Sequence, residues 1–263
     1  MPKMPALIFD VDGTLADTER DGHRIAFNRA FVDANLDWCW DEETYGLLLN
    51  VAGGKERIRH FIDDFQPAFD APADLDGFIR DLHRSKTKHY VSLLQSGAIP
   101  LRPGVGRLLS DARVAGVRLA IATTTTMENI TTLLGSTLGV ESIGWFTVIA
   151  AGDVVPNKKP AADIYQYALD EMGLSAAQCM AFEDSENGLL SAMRAGLKTI
   201  VTVNGYTRND NFDGALIVLD KLGEPDAPFS VIAGDAGDAS HVDVAMIKRL
   251  FETRPFPGLS RNR

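Results

Sequence analysis

Five short apolar runs, each ending abruptly in polar or glycine-rich residues, constrain this chain more than any other feature. They cover residues 6–11, 119–122, 146–150, 179–182 and 199–203. None alternates apolar with polar, as a strand with one wet face would, so each reads as a strand buried on both faces of a sheet. Helical spacing fills the intervals, over residues 105–115, 129–134, 161–172 and 188–195. Strand and helix in regular alternation predict an α/β fold whose parallel sheet is joined by right-handed crossovers.

The rhythm breaks once. From 18 to 96 the strand-like runs vanish and helical stretches replace them, over residues 23–34, 55–65 and 75–94. An all-helical insertion after the first strand starts at the carboxyl edge of the sheet, where open α/β sheets bind ligands. The expected organisation is therefore a core of 1–17 and 97–225, a helical cap of 18–96, and a C-terminal extension of 226–263. The extension is rich in Gly, Asp and Pro, with one helical stretch at 242–251 and a basic, proline-containing end expected to be poorly ordered.

Charge narrows the partners. The chain has 263 residues and a formal net charge of −10, which disfavours broad contact with nucleic acid or anionic membrane. An anionic small substrate remains compatible, since local basic clusters outweigh a distant field. No stretch reaches the ~20 apolar residues of a membrane span, and the N-terminal apolar run is too short for a signal peptide. Cys39 and Cys179 lack metal-like spacing and read as two buried thiols in a reducing compartment. A cytoplasmic, monomeric protein is the expectation.

Chemistry concentrates at the strand ends. Asp10 and Asp12 lie two apart in F-D-V-D-G-T, so on an extended strand end both point to one side. Two converging carboxylates repel, and a divalent cation or a phosphoryl group would relieve that cost. Phosphate-monoester hydrolysis is among the slowest uncatalysed reactions. A carboxylate nucleophile divides it into two easier displacements, and a second carboxylic acid can protonate the leaving oxygen and later activate water. The second run is followed by Thr123–Thr126, which offers hydroxyl and N–H donors ahead of a helix start. The third leads to N-K-K-P, placing Lys158 or Lys159 before a helix. The fourth ends in Glu183 and Asp184, hard oxygen ligands. Each feature alone is ordinary as a cap, a turn or a solvated charge. Four of them at successive strand ends are not.

The set D-V-D-G-T, A-T-T-T, K-K-P and E-D-S, in this order with a helical insertion after the first, resembles the haloacid dehalogenase-like phosphatases. The resemblance spans about residues 6 to 220 and implies a Rossmann-like core beneath a helical cap. It implies Asp10 as nucleophile, Asp12 as acid/base, and Thr123 and Lys159 as phosphate ligands, the Lys-Pro adjacency favouring Lys159 over Lys158. It further implies Mg2+ held by Asp10, the backbone carbonyl of Asp12, and Asp184. G-G-K-E-R-I at 53–58, H-R-S-K-T at 83–87, L-R-P-G at 101–104, G-Y-T-R at 205–208, the W-C-W near Trp38 and the A-G-D of 151–153 are similar to sugar-bisphosphate phosphatases of the CbbY type. Those remove one phosphate from xylulose-1,5-bisphosphate in the Calvin cycle. On that likeness Glu19, Gly53, Gly54, Lys55, Glu56, Arg57, His83 and Lys86 contact the substrate, as do Thr123, Thr124, Thr125 and Asn129. His23 stands outside the expected site, because the segment after Thr18 carries one residue more than the usual pattern.

The cap's own charges point the same way. Lys55, Arg57 and Arg59 form one basic group and Arg80, Arg84, Lys86 and Lys88 another, suited to clamp a second phosphate. Two alternatives carry the same core residues, and a third uses acidic residues, a threonine and a lysine on a similar sheet. A phosphomutase would return the phosphoryl group to its substrate. A broader sugar-phosphate or phosphoglycolate phosphatase would show a flat substrate profile or act best on phosphoglycolate or hexose phosphates. A receiver-like regulatory module would have no cap and no first-strand acidic pair.

Overall fold

The computed structural model describes residues 5–51, 53–152 and 154–252. It divides into two compact units: one runs up to Asp17 and resumes at Pro100, the other is Thr18–Ile99.

The first unit is built on a seven-stranded sheet. Its strands are β1 (Ala6–Phe9), β2 (Leu119–Ala122), β3 (Phe146–Ala150), β4 (Cys179–Glu183), β5 (Lys198–Thr202), β6 (Ile217–Leu219) and β7 (Val231–Gly234), in the order β3-β2-β1-β4-β5-β6-β7. All pair in parallel except β7, which runs antiparallel along β6. Every residue of β1, β2 and β4 is buried, as continuous apolar runs require when both faces are covered. The helices α5 (Val105–Val114), α6 (Met127–Leu138), α7 (Asp163–Met172) and α8 (Glu186–Arg194) supply that cover. Ile164, Tyr165, Ala168 and Leu169 of α7, for example, pack on Ile8, Ala120 and Ala181.

Topology places the chemistry. The chain builds outward from β1 to β2 and β3, then crosses back to lay β4 on the other side of β1. In such a sheet the crevice opens at the carboxyl ends of the two strands where the winding reverses, here β1 and β4. Their register pairs Phe9 with Phe182, the two rings stack at 4.4 Å, and the Asp10 N–H donates to Phe182 O at 3.0 Å. The residues just past these ends, Asp10–Asp12 and Glu183–Asp184, therefore emerge side by side.

The region expected as a separate extension from 226 is, as far as 252, part of this unit. β7 adds to the sheet edge, and α9 (Val244–Glu252) buries Met246, Ile247 and Leu250. The strands β6 and β7 are short and border Gly- and Asp-rich turns, so composition hid them. Residues 253–263, where a poorly ordered end was expected, lie outside the described residues, as does Asp153 of the A-G-D segment. Cys179 is buried but Cys39 is exposed, against the expectation of two buried thiols.

The second unit is helical: a π-helical turn at Glu19–His23, then α1 (Arg24–Asp33), α2 (Glu42–Leu48), α3 (Gly54–Phe65) and α4 (Leu75–Gln95). Helix α2 went unread because it is short. Asp41 caps it, accepting from the Thr44 N–H at 2.7 Å, and Asp74 caps α4 through the Gly77 N–H at 2.8 Å. In W-C-W, alternation turns Trp38 and Trp40 inward and leaves Cys39 out. Trp40 sits 4.6 Å from Phe27, 4.9 Å from Phe31 and 5.3 Å from Phe61 by ring centroids. Asn28 pins the same segment, accepting from the Trp40 N–H at 2.8 Å and donating to its carbonyl at 2.9 Å.

Because Trp40 is wholly buried at the centre of this cluster, Trp40→Ala should destabilise the protein by about 3–5 kcal/mol. Urea denaturation followed by circular dichroism measures it, and a loss under about 1 kcal/mol would mean that the cluster does not organise the unit.

Candidate active site

At the carboxyl end of β1, Asp10 is 6% exposed. Its Oδ1 accepts from Lys159 Nζ at 2.6 Å, and the same ammonium donates to Glu183 Oε1 at 2.7 Å. Tyr165 on α7 donates its hydroxyl to that Glu183 oxygen at 2.5 Å, while its ring faces the Lys159 ammonium at 5.1 Å. The Thr123 side chain, at the end of β2, lies close enough to the Asp10 carboxylate to lower its pKa. Lys158 is exposed, so the geometry selects Lys159 of the two lysines left open by the sequence.

Electrostatics here is strained in one direction. Burial raises the pKa of Asp10, opposed by Lys159 and reinforced by Asp12. Burial likewise pushes Glu183 up to about 7, opposed by Lys159 and reinforced by Asp10. Asp184 rises well above the usual carboxylate range through burial, Asp10 and Glu183. Burial works against the charge on Lys159, yet Asp10 and Glu183 override it and hold its pKa above the ordinary lysine value. One ammonium thus serves several carboxylates, which leaves uncompensated negative charge.

A divalent cation fits that excess. Oxygens of Asp10, Glu183 and Asp184 lie within 4.8 Å of one another, all buried, and form the hard donor set that Mg2+ takes. The set expected from resemblance was Asp10, Asp12 and Asp184; the clustered side chains include Glu183, and Asp12 is half-buried beside them. Because Lys159 and Tyr165 already occupy Glu183 Oε1, Asp10 and Asp184 are the freer donors. Asp184 is further held by Asn204, whose Nδ2 donates to its Oδ2 at 2.6 Å. Gly13 completes the cradle. A Cβ there would fall 2.2 Å from Asp184 Oδ2 and 2.7 Å from Asn204 Nδ2, and its φ of +83° also favours glycine.

The threonine segment divides. Thr123 and Thr125 are buried and Thr124 is exposed. Asn129, in the first turn of α6, donates Nδ2 to Thr125 Oγ1 at 3.0 Å, while its own Oδ1 is buried without a hydrogen-bond partner among the described residues. That orphan acceptor marks the segment as built to receive a donor.

In the helical unit Arg57 and Lys86 leave the expected basic groups for the interior, while Lys55, Arg59 and Arg80 line one cavity. Arg57 is buried, donating Nε to Leu48 O at 3.1 Å and Nη1 to the Tyr45 hydroxyl at 2.8 Å, with Glu19 Oε2 at 3.8 Å. Tyr45 donates to Glu19 Oε2 at 2.5 Å, closing a Glu19–Tyr45–Arg57 trio. Arg59, Arg80 and Arg84 pair instead with Asp76, Asp74 and Asp81 on exposed faces. At about 100° per residue Arg57 turns inward on α3, while Lys55 and Arg59, four apart, keep one face. Lys55 and Glu56 remain exposed in the first turn of α3. Gly53 has φ +98°, and a Cβ on Gly54 would meet the His83 ring at 2.7 Å, so the Gly-Gly pair lets His83 approach the helix start.

Lys86 is 7% exposed, and its Nζ donates to His23 Nδ1 at 2.8 Å, over the rings of Phe27 and Tyr90 at 5.1 and 4.9 Å. His23, left out of the expected site, is therefore adjacent to a residue placed in it. The physical reason is the π-helical turn ending at His23, which takes up one residue more than an α-turn. Burial first, then Lys86, hold His23 neutral. Tyr165, Asn204, Tyr45 and His23 are contacting residues that the expected set lacked, and Glu183, read at its strand end as an oxygen ligand, stood outside the set implied by resemblance. Only Glu183, beside Asp184 at a strand end, carried a readable signal.

These features agree with what the chain is similar to. A model of haloacid dehalogenase-like hydrolases matches residues 4–196, and the chain belongs to that family. It is an enzyme of the hydrolase class. Within the family it is similar to the CbbY protein of Cupriavidus necator, at 47% identity over 86% of this chain and 88% of that one. The CbbY protein of Rhodobacter capsulatus is 48% identical over 81% of this chain and 91% of its own length. Crystal structures of CbbY from Rhodobacter sphaeroides, one with phosphate and one of a mutant with xylulose-1,5-bisphosphate, are 46% identical. Each superposes with a TM-score of 0.75, covering 83% of this chain and 95% of that one. Phosphatases are present among the further relatives, including a phosphorylated carbohydrates phosphatase of Thermotoga maritima at 28% identity over 76% of this chain and 85% of its own length. No helix among the described residues is long and apolar enough to cross a membrane.

His83 generates a pH prediction. Burial, Lys86 and Lys55 depress its pKa from 6.5 to about 4, against a smaller opposing effect of Glu56. Between those values the unfolded chain binds a proton that the folded one refuses, so stability falls as pH drops from about 6.5 to about 4. His83→Gln should remove about 1 kcal/mol of that acid loss, a figure reduced for partial exposure. Urea midpoints at pH 7 and pH 5 measure it; an identical acid loss in the variant would contradict the assigned environment.

Proposed function

We propose that this enzyme is a Mg2+-dependent phosphatase that removes one phosphate from a sugar bisphosphate, with xylulose-1,5-bisphosphate the preferred substrate. The observation that carries the reading is the buried Asp10 carboxylate, held at 2.6 Å by Lys159 beside Asp184. The relatives support the substrate class, since a CbbY structure contains xylulose-1,5-bisphosphate.

The steps follow from the residues. Asp10 attacks phosphorus through a carboxylate oxygen, the P–O bond to the sugar breaks, and Asp12 gives its proton to the departing oxygen. Water then attacks the aspartyl-phosphate, Asp12 takes the water proton, and inorganic phosphate leaves with Asp10 restored. Lys159 and the Thr123 hydroxyl hold the equatorial oxygens and offset their charge. When bound to Asp10, Asp184 and the Asp12 carbonyl, Mg2+ supplies further charge neutralisation for both displacements. Thr124, Thr125 and Asn129 line the same approach.

In the helical unit Glu19, Gly53, Gly54, Lys55, Glu56, Arg57, His83 and Lys86 are assigned to recognition of the sugar and its second phosphate. Arg57 acts by fixing Glu19, and Lys55 at the open helix start is the cation available to the phosphate. Every residue in this scheme lies on one chain, so a monomer suffices for it, and a cytoplasmic location belongs to the same proposal.

Asp10→Asn should abolish turnover, a loss of at least ~10⁴-fold, while circular dichroism stays unchanged. A folded variant that released phosphate normally would refute the nucleophile. In a panel of sugar mono- and bisphosphates, kcat/KM should be highest for xylulose-1,5-bisphosphate. Lys55→Ala should raise KM for bisphosphates about tenfold and leave monophosphates nearly unchanged. Equal effects on both would remove the clamp, and turnover without accumulating inorganic phosphate would indicate a phosphomutase.

A further inference from the structure

A buried guanidinium is costly unless its five N–H donors are met. Arg102, 7% exposed, directs the donors of its two Nη atoms almost entirely to backbone oxygens. Its Nη1 donates to Gly13 O, to Thr202 O at 2.9 Å and to Thr202 Oγ1 at 3.1 Å. Its Nη2 donates to Val203 O at 2.5 Å and to Asp220 O at 2.9 Å, and Nε faces Asp17 Oδ1 at 3.3 Å. These acceptors belong to three segments: the loop after β1, the end of β5, and the residue after β6; β5 and β6 are paired there through Thr202 and Leu219, whereas β1 pairs with neither. The Arg102 N–H also donates to Leu15 O at 2.8 Å, and Leu101 bridges Ala16. One side chain thus ties the loop of residues 10–17 to the rigid side of the sheet.

The mechanical consequence falls on Asp12. Its preceding peptide is fixed because Val11 O accepts from the N–H groups of Thr14 at 3.2 Å and Leu15 at 2.9 Å. Its following peptide is fixed because the Gly13 N–H donates to Ala16 O at 2.8 Å. Peptide planarity then leaves the Gly13 carbonyl as the outer hinge of the turn, and that carbonyl is the one Arg102 holds. Gly13 needs such a hold, since a glycine at φ +83° has the widest conformational freedom of any residue.

We propose that Arg102 is a positioning residue for Asp12, keeping its carboxyl aligned for proton transfer to the departing oxygen by anchoring the Gly13 turn. This rests on the phosphatase reading above. Lysine would keep the charge but lose the planar fork that reaches three segments at once.

The test uses leaving groups. A sugar alkoxide needs a proton to depart, whereas p-nitrophenolate departs unaided, so misalignment of Asp12 penalises only the first. The quantity read is kcat/KM for the sugar phosphate divided by kcat/KM for p-nitrophenyl phosphate, which is independent of how much of a preparation is folded. In Arg102→Lys this ratio should fall about tenfold, in the same direction as in Asp12→Asn, where the loss is about 10²-fold or more. A fall smaller than about threefold, with both rates reduced together, would make Arg102 purely structural and overturn the proposal. If Arg102→Lys yields no soluble protein, Asp17→Ala, which removes a single anchor, decides by the same threshold. Failure of the underlying reading registers separately, as wild-type protein releasing phosphate from neither compound, and would remove this inference with it.

Discussion

The bridge from Lys159 Nζ to Asp10 and Glu183, at 2.6 and 2.7 Å, is the interaction on which the rest of the core site depends. Three carboxylates share a buried space at the sheet's central strand ends, and burial alone would drive all of them towards neutrality. A single ammonium keeps Asp10 available as a charged group. Tyr165 matters because it completes the coordination of Glu183 and so fixes where the ammonium can sit. What remains uncompensated around Asp184 makes the site suited to a divalent cation.

This arrangement is affordable only at one place in the fold. Strands β1 and β4 end side by side where the winding of the sheet reverses. Loops that leave there in opposite directions open a crevice without exposing the strands beneath. The turn after β1 must then pass close to Asp184, which is why glycine stands at 13, and it must not move, which is the service Arg102 provides. The helical unit has a different logic. Its aromatic centre around Trp40 gives rigidity, and its polar groups, Glu19 with Arg57 and His23 with Lys86, are stacked against that centre.

Much of this was readable in the chain because each motif residue follows an apolar run directly. Asp10, Thr123 and Asp184 sit within two residues of a strand end, and strand ends of a parallel sheet lie along one edge. Lys159 needed a further hint, the adjoining proline, because its loop is longer. Tyr165 gave no signal: on α7 it is spaced like any core aromatic, and only the fold reveals that its hydroxyl faces Glu183. Asn204 was equally silent, and Arg102, although part of the L-R-P-G segment, gave no sign of its partners, since these lie 20 and about 90–120 residues away respectively. The basic residues of the cap read as two clusters in one dimension; in three, Arg57 and Lys86 turn inward while Lys55, Arg59 and Arg80 share one cavity. Likewise β6 and β7, too short for periodicity, became strands only by pairing with a sheet already formed.

The sequence by itself therefore determined the layered α/β core, the helical insertion and the order in which chemical groups reach the sheet edge, because hydrophobic period and strand-end position are local properties of the chain. Tertiary structure alone decided which charges are paired, which lysine meets Asp10, and how tightly the turn at Gly13 is held. Those outcomes depend on distances between segments remote in the chain, and such distances exist only once the sheet has brought the segments together.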